Sequence, residues 1–293
     1  MKRLFLYTLL FVFSFPLLSV SVEARVSKKN SKNDFLGNGV FIWNELCFDD
    51  NNTKPYVEKA KAKGIKFVVV KASDGCEWGV KNSRGRFQTQ LNESVIRAFH
   101  KAGIKCYGYG TAWLKPQSDV RKASTHAINV LHKTSADGFV FDDVFAYGSD
   151  ARQTERLFSV VRKHINACAI CRKKTLAFST FPSVWRTDLS WSIPLRYCDY
   201  YLPQIYWADM RVSPAQAVNR FQQGWTGYRK NHKSIRCRIV PVASTIGRGN
   251  VTPTQIREFI LACKKLGYSN LVFFRWNGTS AGEWAVIKKG GRR

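Results

Sequence analysis

Gly138-Phe139-Val140-Phe141-Asp142-Asp143 is a short apolar run that stops on two carboxylates, and what surrounds it decides the fold. The run reads as a buried strand. On its upstream side stand a strand-like stretch, Lys105–Gly110, and a helical pattern, Gln117–Thr134. Downstream, Ala151–Ala167 is helical and Thr175–Ser179 is extended again. The alternation continues to both ends. Further strands are predicted at Gly39–Trp43, Lys66–Lys71, Tyr200–Tyr206, Arg238–Ala243 and Leu271–Arg275. Helices are predicted over Lys54–Gly64, Asn92–Gly103, Pro214–Lys230 and Thr252–Leu266, the last opened by a threonine cap and a proline. The fifth connection, residues 182–197, is short and bears tryptophan. Eight strands alternating with seven or more helices define an α/β chain folded as one (β/α)8 barrel. A doubly wound open sheet is the alternative, but no glycine-rich phosphate loop follows the first strand.

Ahead of the barrel, residues 1–24 read as a secretory signal. Lys2 and Arg3 precede the apolar stretch Leu4–Leu18, and Val22-Glu23-Ala24 supplies small residues for cleavage. That run is about 15 residues, short of the roughly 20 that span a bilayer. Cleavage before Arg25 is expected, leaving no membrane span and a secreted or periplasmic protein. Residues 25–36 read as a flexible basic arm, and residues 37–293 as a single domain with no linker-like interruption.

Eight cysteines in an exported chain favour disulfides, and Cys47 with Cys76 is the expected pair because both follow neighbouring strands. Cys168-x-x-Cys171 has a metal-like spacing but no second Cys/His pair at zinc-site spacing in the sequence, so no metal and no cofactor are expected. The formal net charge is +27. Such a chain is attracted to anionic polymers. Its lysines and arginines are spread along the whole length without a nucleic-acid motif, so an anionic matrix or cell-wall glycan is the expected partner, not nucleic acid. A monomer is expected.

In a (β/α)8 barrel the strand C-termini carry the chemistry. Those positions hold Trp43 and Glu45, Lys71 and Asp74, Trp113, then Asp142 and Asp143. Later strands add Gln204, Tyr206, Trp207, Asp209, Arg275 and Trp276. Aromatic faces that stack on pyranose rings, mixed with carboxylates and amides that sort hydroxyls, suit a sugar. The adjacent Asp142 and Asp143 repel each other, which raises one pKa and leaves a proton donor beside a charged neighbour. Alternation of side chains aims Asp142, in phase with Val140, over the lumen and turns Asp143 away. A solvated turn after a buried strand would give the same pair without chemistry. Pro203 inside an aromatic strand marks a bulge or edge that re-aims Gln204 and Tyr206. Lys71 is either an ion-pair partner of a barrel carboxylate or a sugar ligand.

Residues Gly138 to Tyr147 (GFVFDDVFAY) resemble the GIHFDDYFYP stretch of bacterial glycosyl-hydrolase-like family ten barrels. Cys198 to Trp207 (CDYYLPQIYW) is similar to that family's D-x-x-x-PQ-x-YW strand, and Gly39 to Trp43 to its opening strand. Val68 to Gly75 also resembles the second strand of family-twenty-five lysozymes, and Asp137 to Asp142 the family-eighteen chitinase signature. Phe41 and Val144 stand where those two families place an acid. The resemblance implies glycoside hydrolysis, with Asp142 protonating the glycosidic oxygen, Asp143 assisting, and Glu45, Asp74 or Asp209 as second carboxylate. A glycan-binding barrel without catalysis and a basic extracellular interaction protein are the competing readings.

Overall fold

The structure, a computed structural model, describes residues 34–48, 52–75, 77–81, 84–112, 114, 117–144, 150–186, 189–246 and 251–291. Residues 1–24, expected to be a signal, most of the expected basic arm, Cys76 of the expected Cys47–Cys76 pair, and Trp113 lie outside the described residues. The strands are β1 (Asn38–Ile42), β2 (Phe67–Asp74), β3 (Lys105–Thr111), β4 (Gly138–Asp142), β5 (Thr175–Thr180), β6 (Tyr200–Pro203), β7 in two pieces (Arg238–Ile239 and Val242–Ser244) and β8 (Leu271–Phe274). Each is followed by a helix: α1 (Lys54–Ala62), α2 (Glu93–Lys101), α3 (Gln117–Lys133), α4 (Ala151–Ala167), α5 (Ser192–Tyr197), α6 (Pro214–Asn231), α7 (Pro253–Lys265) and α8 (Ala281–Gly290).

Neighbouring strands pair in parallel from β1 through β6, and β1 also pairs with β8. The first piece of β7 pairs with β6 and the second with β8, which brings the sheet round on itself. Pro241 splits β7 because it has no N–H to give the ladder. Around the break, Val240 N–H donates to Tyr201 O, Ile205 N–H to Val242 O and Val272 N–H to Pro241 O, all at 2.9–3.0 Å. The chain is a (β/α)8 barrel.

Strand alternation divides the apolar residues into two cores. Phe41, Val69, Tyr107, Tyr109, Val140, Leu202, Val242 and Val272 fill the barrel. Their neighbours in sequence, such as Val68, Phe139, Phe141, Tyr201 and Phe273, face the helices. Parallel strands covered on both faces read as continuous hydrophobic runs for this reason. Gly138 lets β4 and β5 approach: a Cβ there would lie 2.3 Å from Thr175 O.

The floor corrects one boundary. Asp34 and Phe35, counted in the flexible arm, are buried. The Phe35 ring stacks on Tyr107 at 4.2 Å and meets Phe67 and Tyr200 edge-on, plugging the barrel from below. Asp34 accepts from Lys105 Nζ at 2.8 Å and Thr175 Oγ1 at 2.6 Å. A barrel end lined by aromatics needs a cover against water, and a polar-looking run hides it in one phenylalanine. On the outer side, Arg162 of α4 is fully buried and donates to Tyr197 O at 2.6 Å and Asp199 Oδ2 at 2.9 Å, tying α4 to the start of β6.

Candidate active site

β4 carries Val140 into the barrel interior and, two residues on, delivers Asp142 to the mouth, where it is 7% exposed. Asp143 does not turn away as alternation predicts. Its backbone adopts φ +51°, a left-handed conformation that aspartate and asparagine tolerate better than most residues. The two carboxylates meet at one amide instead. Gln204 Nε2 lies 3.0 Å from Asp142 Oδ1, 3.2 Å from Asp143 Oδ1 and 3.1 Å from Ser179 Oγ. An amide NH2 has two hydrogens and cannot serve three acceptors at once. The Ser179 hydroxyl, which can accept and donate at once, donates to Asp142.

Pro203 closes β6, and Gln204 continues it only as a single bridge to Val242. That irregularity points the amide at the acidic pair. Burial is the largest influence on Asp142, and the charge of Asp143 adds to it. Hydrogen bonds from Ser179 and the Asp143 backbone and the charge of Lys71 oppose them, and its pKa is pushed up to about 7. Burial also raises Asp143, against the Gln204 bond and Lys71. The Tyr109 hydroxyl is buried without a hydrogen-bond partner among the described residues. Burial and then the Asp142 charge raise its pKa, with smaller contributions from Glu45, Asp74 and Tyr206.

Lys71 Nζ pairs with Asp74 Oδ1 at 3.1 Å, and Thr111 Oγ1 donates to the same oxygen at 3.3 Å. Trp43 is half-buried with Arg275 4.3 Å and Lys71 5.4 Å from its ring centroid. Tyr206 stacks on Phe274 at 6.3 Å, and Asp209 is exposed beyond it. Gln90 is buried and braces this side: its Nε2 donates to Lys71 O at 3.0 Å and to Trp43 O.

Three expectations are corrected. Trp207 is 1% exposed and rests on Phe259 of α7, because it is in phase with Tyr201 and Ile205 on the outer face of the barrel. Trp276 is 3% exposed. The chain turns into a 3-10 helix after Arg275, and its ring stacks on Tyr56 and meets Trp284 of α8. Neither can stack on a ligand. Glu45 is 1% exposed and accepts from the backbone N–H groups of Trp43 and Asn277, so it clamps β1 to the chain after β8. Burial raises its pKa against those bonds.

Sequence reasoning missed Gln90, which carries no local signal. Ser179 and Tyr109 carry a signal only in retrospect: Ser179 ends the Thr175–Ser179 run, and Tyr109 is in phase with the interior Tyr107. Sequence reasoning also missed Trp78, 37% exposed on a two-residue strand paired back onto the end of β2.

No protein-family model matches this sequence, and none of the curated proteins compared with it does. Solved structures match in fold. The glycoside hydrolase domain of PgaB (BpsB) from Bordetella bronchiseptica superposes with a TM-score of 0.65 at 11% identity, over 87% of this chain and 99% of that one. A family-eighteen N-acetylglucosaminidase from Paenibacillus barengoltzii gives 0.60 at 11%, again over 87% and 99%. A xylanase and alpha-amylase inhibitor protein from Scadoxus multiflorus gives 0.57 at 10%, over 87% and 96%. The fold is that of glycosidase barrels, and the same fold serves an inhibitor. Among the described residues no helix is long and apolar enough to cross a membrane.

Proposed function

We propose that this protein is a glycoside hydrolase with Asp142 as its proton donor. The observation that carries the reading is the Asp142 carboxyl: buried at the C-terminal end of β4, held beside Asp143 by Gln204, with a pKa near neutrality. A general acid works best when its pKa lies close to the working pH. Asp142 gives its proton to the glycosidic oxygen as the bond to the anomeric carbon breaks. The carboxylate left behind is met by the Gln204 amide, the Ser179 hydroxyl and the charge of Lys71. Asp143 keeps the proton on Asp142 until a substrate oxygen takes it.

With Glu45 committed to backbone, Asp74 and Asp209 are the candidates for the second carboxylate. Trp43, Tyr206 and Arg275, grouped at the mouth, are the proposed sugar contacts, with Trp113 as a further expected one. The family-ten likeness of β4 and β6 supports the same assignment. The substrate class is a polysaccharide, an anionic matrix or amino-sugar cell-wall glycan, drawn by the net charge of +27 and met by a secreted or periplasmic monomer.

A second reading is a glycan-binding barrel without turnover, since the fold does not by itself require catalysis: an inhibitor protein shares it. Incubation with peptidoglycan, chitin and galactosamine polymers, followed by assay of new reducing ends, separates the two. Cleavage supports the hydrolase; retention on a glycan with no new ends supports the binding barrel.

A further inference from the structure

Each helix of the barrel runs back from the mouth, so its C-terminal end lies beside the start of the next strand. The ends of α3 and α4 bring together four side chains that the mouth does not use. His132 stands in the last turn of α3 and His164 in the last turn of α4. Cys168 caps α4, and Cys171 follows in the turn leading to β5. Local spacing explains part of the convergence. His164 and Cys168 are four residues apart on one helix face, and the x-x turn folds Cys171 back towards them. His132 Nδ1 lies 3.4 Å from Cys168 Sγ and 4.0 Å from Cys171 Sγ, and His164 Nε2 lies 3.8 Å from Cys171 Sγ. All four ligand atoms lie within 4.8 Å of one another.

We propose that His132, His164, Cys168 and Cys171 hold a zinc ion that clamps α3 to α4. Zinc bonds of about 2.3 Å to sulfur and 2.0–2.1 Å to nitrogen make a tetrahedron with edges of roughly 3.3–3.8 Å. Two of the imidazole–sulfur separations, 3.4 and 3.8 Å, fall in that range, and the third, 4.0 Å, lies just above it. Two thiolates and two imidazoles match the softness of zinc, and the thiolate charges cancel that of the ion. The negative ends of two helix dipoles favour a cation there. The two sulfurs adjoin in the manner of a disulfide. A disulfide, however, has no proton to give an imidazole and no use for two ring nitrogens aimed at it. Loading starts from the reduced chain: two thiols release two protons to solvent, two S–Zn bonds form, and no electrons move. Four protein ligands leave no open position, so the ion is structural. The sequence hid this site because each histidine belongs to a different helix.

The test is the zinc content of purified, reduced protein after gel filtration, with cobalt substitution as a second readout. About one zinc per chain is expected, with the intense visible absorption of a tetrahedral cobalt–thiolate site. His132→Ala should reduce the bound metal to near zero, and this position is exposed, so the barrel should still fold. A chelator should lower the Tm of the wild type and leave that of His132→Ala unchanged. A wild type without zinc overturns the proposal, as does full zinc retention by the His132→Ala/His164→Ala double variant.

Discussion

Asp142 and Asp143 share a hydrogen-bond donor, and burial raises the pKa of both, with the charge of Asp143 pushing Asp142 further, which is testable by pH. If Asp142 acts while protonated, turnover declines as pH rises through its pKa, about 7. Asp143→Asn keeps the left-handed backbone, which asparagine tolerates, and removes the charge that raises Asp142. The alkaline limb of the pH–rate profile should then move to lower pH; an unmoved limb would show that Asp143 does not tune the donor. Stability follows the same linkage. The folded pKa of Asp142 lies above the ordinary aspartate value of 3.8, so its contribution is fully present below that pH and is lost as pH rises through about 7. Asp142→Asn should remove this loss. Denaturant unfolding at pH 4 and pH 8 should find the variant gaining on the wild type at the higher pH. Equal differences at both would contradict the buried-acid assignment.

Among the elements, β4 and β6 were readable because alternation is strict inside a strand. Val140 and Asp142 share the lumen; Trp207, expected at the mouth, lies in phase with the outward-facing Tyr201, and counting on from that residue places it against the helices. Where strands end, counting fails. Trp276 is in phase with the interior Phe274, yet the 3-10 turn after Arg275 swings it under α1 and α8. Asp143 departs from the pattern through one backbone angle. The Phe35 plug was equally hidden, since a lone phenylalanine in a polar run has no periodicity to betray it. Phe35→Ala should cost about 3–5 kcal/mol, the usual penalty for emptying a buried aromatic site. A loss below 1 kcal/mol in denaturant unfolding would mean that the barrel floor seals without it.

For the whole molecule, the order of eight βα units was legible from end to end, because a buried parallel sheet advertises itself as repeated apolar runs. Function was legible only at the mouth, and the positive charge spread over the surface gave no local address. Charge and site also predict different things. Retention on an acidic glycan should weaken as salt rises from 0.05 M to 1 M, whereas cleavage of a short neutral oligosaccharide should change little. If both collapse together, surface charge rather than the cleft dominates recognition. The most direct measurement is the release of reducing ends from the glycan that the panel identifies, by wild type and by Asp142→Asn at equal binding. Asp142→Asn keeps the shape of the side chain and removes its transferable proton. A proton donor at Asp142 requires turnover to fall by about 10²–10⁴-fold while glycan pull-down persists. Equal turnover in the two proteins would contradict it.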